Sequence, residues 1–250
     1  NNNNARIKLN GTINLVGNWT NNAFDSIRYY DATMSNVNFI GSANQTIGGT
    51  SQTIFENITL NNSTGLSLQN NAYIDNLLTF TVGKLFTLTD TLIINNTALT
   101  AIVGFDTTKY ISGNLRRFVS TGIYNFPVGT NNYSELAQVE IISASNLNYL
   151  DVCYMTSDEN PIPVGLNVLG TPMSVFLNYG YWRIIPDAIP TVRYNLNVSN
   201  TGHTNGGGSQ DMYAVISDIG AGWVDYAYHS TTTQYFTGSF INASRLGMSQ

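Results

Sequence analysis

Apolar residues return at a nearly fixed interval through the first half of this chain. Val37, Phe55, Ile74, Ile93 and Ile111 are spaced by 18 or 19 residues, and Ile47, Leu66 and Leu85 by 19. A period near 20 holds two or three short strands. This is what a parallel β-solenoid requires, because every coil must return its apolar side chains to the same inner wall. Between the anchors the same elements recur, strand, Asn/Gly turn, strand, as in 57–68 and 76–88. Residues 5 to about 130 read this way throughout, as β-branched or Leu-rich runs separated by Asn, Gly and Thr turns, with no sustained helical period. Asn and Thr at the corners can stack coil on coil, each amide bonding the one below. The alternative is a sandwich whose strands are evenly spaced; the solenoid is the preferred reading.

From about 131 onward the rhythm changes. Strand-like runs lie at 138–142, 151–155, 175–177, 181–185, 192–198, 211–216 and 223–229, and five of the six prolines fall in this half. That density of short strands and turns suits an antiparallel β-sandwich. The fold class expected is therefore all-β: a solenoid-like repeat region over 1–130, then a sandwich over 131–250. The Gly-rich stretch 201–210 is the expected hairpin tip.

The 250 residues can build a core without disulfides or metal. Hydrophobic residues make up 42% but charged ones only 10%, against about 25% in an average globular chain. The surface must be covered by uncharged polar groups instead, chiefly Asn, Thr, Ser and Gly, a coat common on exported β-proteins. The net charge of −5 and the scattered Lys and Arg, with only Arg116 and Arg117 adjacent, disfavour nucleic acid, which needs a basic stripe. No window approaches the roughly 20 apolar residues of a membrane-spanning helix, so no direct membrane insertion is expected. No cleavable signal opens the chain, which reads as mature and soluble, its export signal removed or upstream. The single Cys153 lies in an apolar run and reads as a small hydrophobe.

Four phrases carry a family resemblance: Tyr110-Ile-Ser-Gly-Asn-Leu-Arg-Arg117, Tyr124-Asn-Phe-Pro-Val-Gly129, Gly180-Tyr-Trp-Arg-Ile-Ile-Pro-Asp187 and Ser244-Arg-Leu-Gly-Met-Ser-Gln250. With them the chain, over about residues 10 to 250, resembles the large cell-surface, adhesin-like repeat proteins of Bacteroidota exported by the gliding-associated (type IX) secretion system. In that family a pattern spanning the first two phrases closes a repeat region and a sandwich carrying the third follows. The resemblance implies an extracellular, cell-surface location without naming a ligand. Family members continue past the point where this chain stops, which implies a processed or partial protein. It also implies O-glycosylation at Asp-Ser/Thr sites, for which Ser26, Thr91 and Thr107 are the candidates.

Constellations that could carry chemistry are few. His203 and His229 can be joined on paper to Asp211 or Asp225 in a triad, but no nucleophile elbow supports it. Asp158 and Glu159 are adjacent and point apart, so they read as a solvated loop rather than a calcium or glycosidase pair. Gly206 to Gly208 lack the Lys and helix of a phosphate loop. Catalytic residues, cofactors and metals are therefore not expected. Of Trp19, Trp182 and Trp223, the last two read mainly as core, whereas Tyr226 and Tyr228, sharing one strand face, and Tyr235 are candidates for stacking on glycan rings.

The function expected is a non-catalytic structural or adhesive surface protein. Its partners would be copies of itself, joined head-to-tail into a filament through 1–9, or other surface proteins and glycans. Two alternatives compete: a carbohydrate-binding module in the C-terminal half, and a polysaccharide-active β-helix enzyme. The latter would draw on Lys84, Lys109, Arg116 and Arg117 with Asp75, Asp90 and Asp106.

Overall fold

A computed structural model describes residues 11–22, 27–28, 35–156, 167–168, 171–172, 180–187, 191–198, 214–218, 223–225, 234–239 and 245–249. All regular structure among them is β, and the first part is a β-solenoid of about five turns. The chain divides into two compact units, 1–118 with 127–134, and 119–126 with 135–250. It therefore leaves the first unit for one short strand and returns to it before entering the second for good.

The solenoid has three sides, each a stack of parallel strands. On the first side Thr12–Leu15 pairs with Asn36–Phe39, then 57–60, then 77–80, then Ile102–Val103. On the second, Trp19–Thr20 is followed by Gln45–Gly48, Leu66–Leu68, 85–86, 111–112 and Val128–Gly129. On the third, Ile27–Arg28 is followed by 53–55, 72–74, 92–94 and 115–117. Parallel strands need a crossover connection, and here the other two sides of each coil provide it.

The inner wall is what the apolar period predicts. Phe55 lies opposite Ile74 and Leu66 opposite Leu85, each pair 19 residues apart. The interval is not strict elsewhere: Ile74 pairs with Ile94, one residue beyond the anchor Ile93, and Ile47 with Leu68 rather than Leu66. Val37 and Ile111 stand on the first and second sides, not in line with Phe55 and Ile74 on the third. Corner length causes this drift. Extra residues at a corner lengthen a coil, as between Trp19 and its partner Ile47, without disturbing the strands on either side. All eight anchors are nonetheless buried, seven of them on inward positions of their own sides and Ile93 on the opposite face, between inward Leu92 and Ile94. Burying each such Ile, Leu, Val or Phe contributes about 1.5–3 kcal/mol.

One inner row ends in a charge. Phe55, Ile74 and Ile94 stack on the third side, and the next position is Arg117, fully buried, with Nη2 donating to the Ala98 carbonyl oxygen at 3.0 Å. Segment 127–134 is pinned close by. Tyr110 Oη donates to the Thr130 carbonyl at 2.8 Å, Lys84 Nζ to that of Asn131 at 2.7 Å, and the same Nζ stands 4.9 Å above the Tyr110 ring.

Glycine is required at several corners, Gly83 and Gly104 among them. At Gly83 (φ +95°) an added Cβ would lie 1.8 Å from the Asn62 carbonyl oxygen, and at Gly104 (φ +76°) 2.1 Å from that of Phe80. Both lie where the first side turns into the second, and each packs against the coil before it; a side chain there would force the backbones apart.

The second unit is antiparallel. Gly122–Phe126, Ala137–Ser145, Thr191–Val198 and Gln234–Ser239 form a four-stranded sheet in that order. Tyr149–Met155 pairs with Tyr181–Pro186, which meets Arg245–Ser249, followed by Ala214–Asp218 and Trp223–Asp225. Of the strand-like runs expected here, 175–177 lies outside the described residues, and the strands Gln234–Ser239 and Arg245–Ser249 were not among those expected. Trp182 is fully buried, its Nε1 donating to the Glu135 carbonyl at 3.0 Å and its ring edge-on to Tyr154. Cys153 is buried, and burial pushes its thiol pKa up.

Candidate functional surface

Asn residues at the solenoid corners hold coil to coil. Where the third side turns into the first, Asn96 Nδ2 donates to the Asn76 carbonyl at 3.0 Å. Asn76 Nδ2 donates to Asn57 Oδ1 at 2.7 Å, and Asn57 Nδ2 to the Ser35 carbonyl at 2.8 Å. The relay is directional, each amide giving its N–H to the preceding coil. Between the first and second sides, Asn62 Nδ2 donates to the Ala43 carbonyl at 2.8 Å and to Gln45 Oε1 at 3.0 Å, and Gln45 Nε2 to the Leu15 carbonyl at 2.9 Å. Between the second and third sides, the Thr91 N–H donates to Asn71 Oδ1 at 2.8 Å and Asn114 Nδ2 to the Asp90 carbonyl at 3.0 Å. Asn is suited to this because its side chain both donates and accepts, so it satisfies corner carbonyls that the strand ladders leave over.

The outward positions of the first side form a grid. Thr12, Asn36, Asn57 and Leu77 make one row, and Asn14, Asn38, Thr59 and Thr79 the next, each member paired in register with the one on the following coil. Val16, Ile40, Asn61 and Val82 follow at the corner, with the valines 72% and 38% exposed and Ile40 37%. None of these side chains is charged. Parts of the grid are tied together, Asn38 Nδ2 donating to Asn14 Oδ1 at 2.8 Å and Asn36 Nδ2 to Thr59 Oγ1 at 3.3 Å.

No protein-family model, curated protein or solved structure matches this chain. The surface must be read from its own chemistry.

Of the glycosylation candidates, Thr107 is exposed in a tight turn, Thr91 is half-buried within the strand Leu85–Ile94, and Ser26 lies outside the described residues. The Thr107 turn is closed by contacts to Asp106. Asp106 Oδ1 accepts from the Thr108 N–H at 2.7 Å and Lys109 Nζ stands 2.9 Å from Asp106 Oδ2, contacts that hold the Asp106 carboxyl well below the usual carboxylate range. Tyr235 lies on the strand Gln234–Ser239, opposite Asn195. Tyr226, Tyr228, His203, His229, Asp158, Glu159 and Gly206 to Gly208 lie outside the described residues. Trp19 packs edge-on against Phe55 and donates from Nε1 to Thr53 Oγ1 at 3.1 Å.

The solenoid charges are not gathered into one groove. Lys84 is at the corner between the first and second sides, Asp90 between the second and third, and Asp75 between the third and first. Lys109 and Asp106 are joined to each other, and Arg117 is inside the core. Asp75 accepts from Asn95 Nδ2 at 2.6 Å, and burial together with its carboxylate pushes the neighbouring Glu56 above its ordinary pKa.

Proposed function

We propose that this protein is a non-catalytic structural or adhesive component of an extracellular surface. The observation that carries the reading is the pairing of two features on one element: coils locked together by amide relays, and an outer face of uncharged side chains repeated from coil to coil. A stack of this kind behaves as a stiff rod whose affinity is spread over a repeated face instead of a pocket. The resemblance to Bacteroidota surface repeat proteins agrees with the display of such a rod outside the cell, and the exposed Thr107 turn is the site we assign to O-glycan attachment. Head-to-tail self-association belongs to the same reading, because coils join one another through parallel backbone ladders, the kind of pairing by which one copy extends another.

Immunogold labelling of intact cells and negative-stain microscopy of the purified chain test the proposal. Labelled surfaces, with ordered polymers lost on deleting residues 1–9, are expected. A protein found only inside cells and monomeric at high concentration would overturn it.

A further inference from the structure

We infer that the outer face of the first solenoid side is a docking platform for a neutral polysaccharide chain. This deepens the reading of a displayed surface protein and rests on it. Strands about 4.8 Å apart and outward residues about 6.6 Å apart along each strand give a lattice of about 14 Å by about 13 Å. The ligand that suits such a lattice is one that itself repeats, so that the same contact recurs on successive coils.

Three properties select a neutral sugar polymer. First, in the two central rows Thr12, Asn36, Asn14, Asn38, Thr59 and Thr79 present amides and hydroxyls, which both donate and accept and so match hydroxyl-rich ligands, while Leu77 adds an apolar member and the Asn57 amide serves the corner relay. The bonds from Asn36 to Thr59 and from Asn38 to Asn14 already fix several of these side chains, so less conformational entropy is lost on binding. Second, exposed Val16, Ile40 and Val82 border the polar rows with aliphatic surface, which suits the C–H faces of pyranose rings. Third, the lattice carries no charge, while Glu56 and Asp75 stand at its opposite border and repel a polyanion. A second protein does not suit the face. The lattice covers about 190 Å², well short of the roughly 800 Å² per partner of a stable protein interface. A polymer chain can instead make weak contacts with many displayed copies at once.

The test is co-sedimentation of the purified full chain with insoluble cellulose and with chitin, alongside gel retardation by polygalacturonate. Retention on at least one neutral polymer is expected, persisting at about 0.5 M NaCl because no charges are involved, with no retardation by polygalacturonate. Asn38→Lys and Thr59→Lys should each weaken retention about tenfold or more, while Thr46→Lys, outward on the second side, leaves it unchanged. Circular dichroism and urea unfolding verify that the variants fold. If the lysine variants do not fold, Thr59→Val keeps the shape and removes only the hydroxyl; a several-fold loss supports the platform. No retention on either neutral polymer, preference for polygalacturonate, a Thr59→Val protein as well retained as the parent, or equal loss in Thr46→Lys would each overturn it. Surface labelling of cells is scored separately: unlabelled cells defeat the display reading without changing the binding result.

Discussion

Replacing Asn76 tests whether the amide relay holds the solenoid together or merely decorates it. Asn76 gives its amide N–H to Asn57 Oδ1 at 2.7 Å and its main-chain carbonyl accepts from Asn96 at 3.0 Å. Asn76→Ala keeps the second bond and deletes the first, together with the longer 3.3 Å contact from Asn96 Nδ2 to Asn76 Oδ1, whose donor keeps the main-chain carbonyl. The lost bond costs about 1 kcal/mol net, and leaving the half-buried Asn57 oxygen without its donor adds about another. Asn57 cannot simply flip to recover, because its own Nδ2 is engaged by the Ser35 carbonyl at 2.8 Å. The expected loss is thus about 2 kcal/mol, a shift of about 1 M in urea midpoint for a urea dependence of about 2 kcal/mol per M. Asn76→Asp should cost more at neutral pH. It sets an acceptor against the Asn57 oxygen and adds a carboxylate beside Asp75 and Glu56. Equilibrium urea unfolding followed by circular dichroism measures both, with Asn14→Ala as the control. Asn14 only accepts a bond from Asn38 at an exposed position, and its loss should stay within about 0.5 kcal/mol. An Asn76→Ala midpoint indistinguishable from that control would refute the argument.

At Gly83, alanine would place Cβ 1.8 Å from the Asn62 carbonyl oxygen, so Gly83→Ala should destabilise by about 2 kcal/mol or more, measured by thermal unfolding; an unchanged Tm would show that the corner yields freely. Burial, then the Asp75 carboxylate, raises the Glu56 pKa, so its ionisation opposes folding: that cost is absent below the unfolded glutamate pKa and complete above the folded one. Glu56→Gln should therefore be more stable than the parent at pH 7, with the difference vanishing in acid. Asp187 is the opposite case: burial raises its pKa, but bonds from the Asn148 N–H and side chain and the Tyr149 N–H outweigh burial and leave it lowered. Its contribution is present above the unfolded aspartate pKa and lost as pH falls through the folded one, so Asp187→Asn should flatten the acid limb of the unfolding profile. Ile74→Ala, at a fully buried inner-wall position, should cost about 2–5 kcal/mol in urea unfolding; a loss under 1 kcal/mol would mean that the coil collapses around the cavity.

The β-solenoid was legible because its cause is local and repeated. Every coil must bring apolar side chains to one wall, so residues such as Phe55 and Ile74, or Leu66 and Leu85, recur at an interval that shows in the sequence. The corner stacking of Asn was legible for the same reason, since one side chain type recurs wherever the strands turn. Alignment of the sides was not. Corner length is unconstrained by the inner wall, so Val37 and Ile111 keep the interval numerically while facing the core from other sides. The outer lattice of the first side was invisible too: outward positions are set by period-2 alternation within each strand, but which outward residues become neighbours depends on register between coils. Thr59 beside Asn38, 21 residues away, is a product of pairing alone. The burial of Arg117 likewise follows from the inner row that it ends, whereas in sequence it is one of two adjacent arginines on an otherwise ordinary strand. Composition and alternation are written residue by residue and survive in the sequence; register and the turning of corners are settled only when backbone ladders close between distant segments.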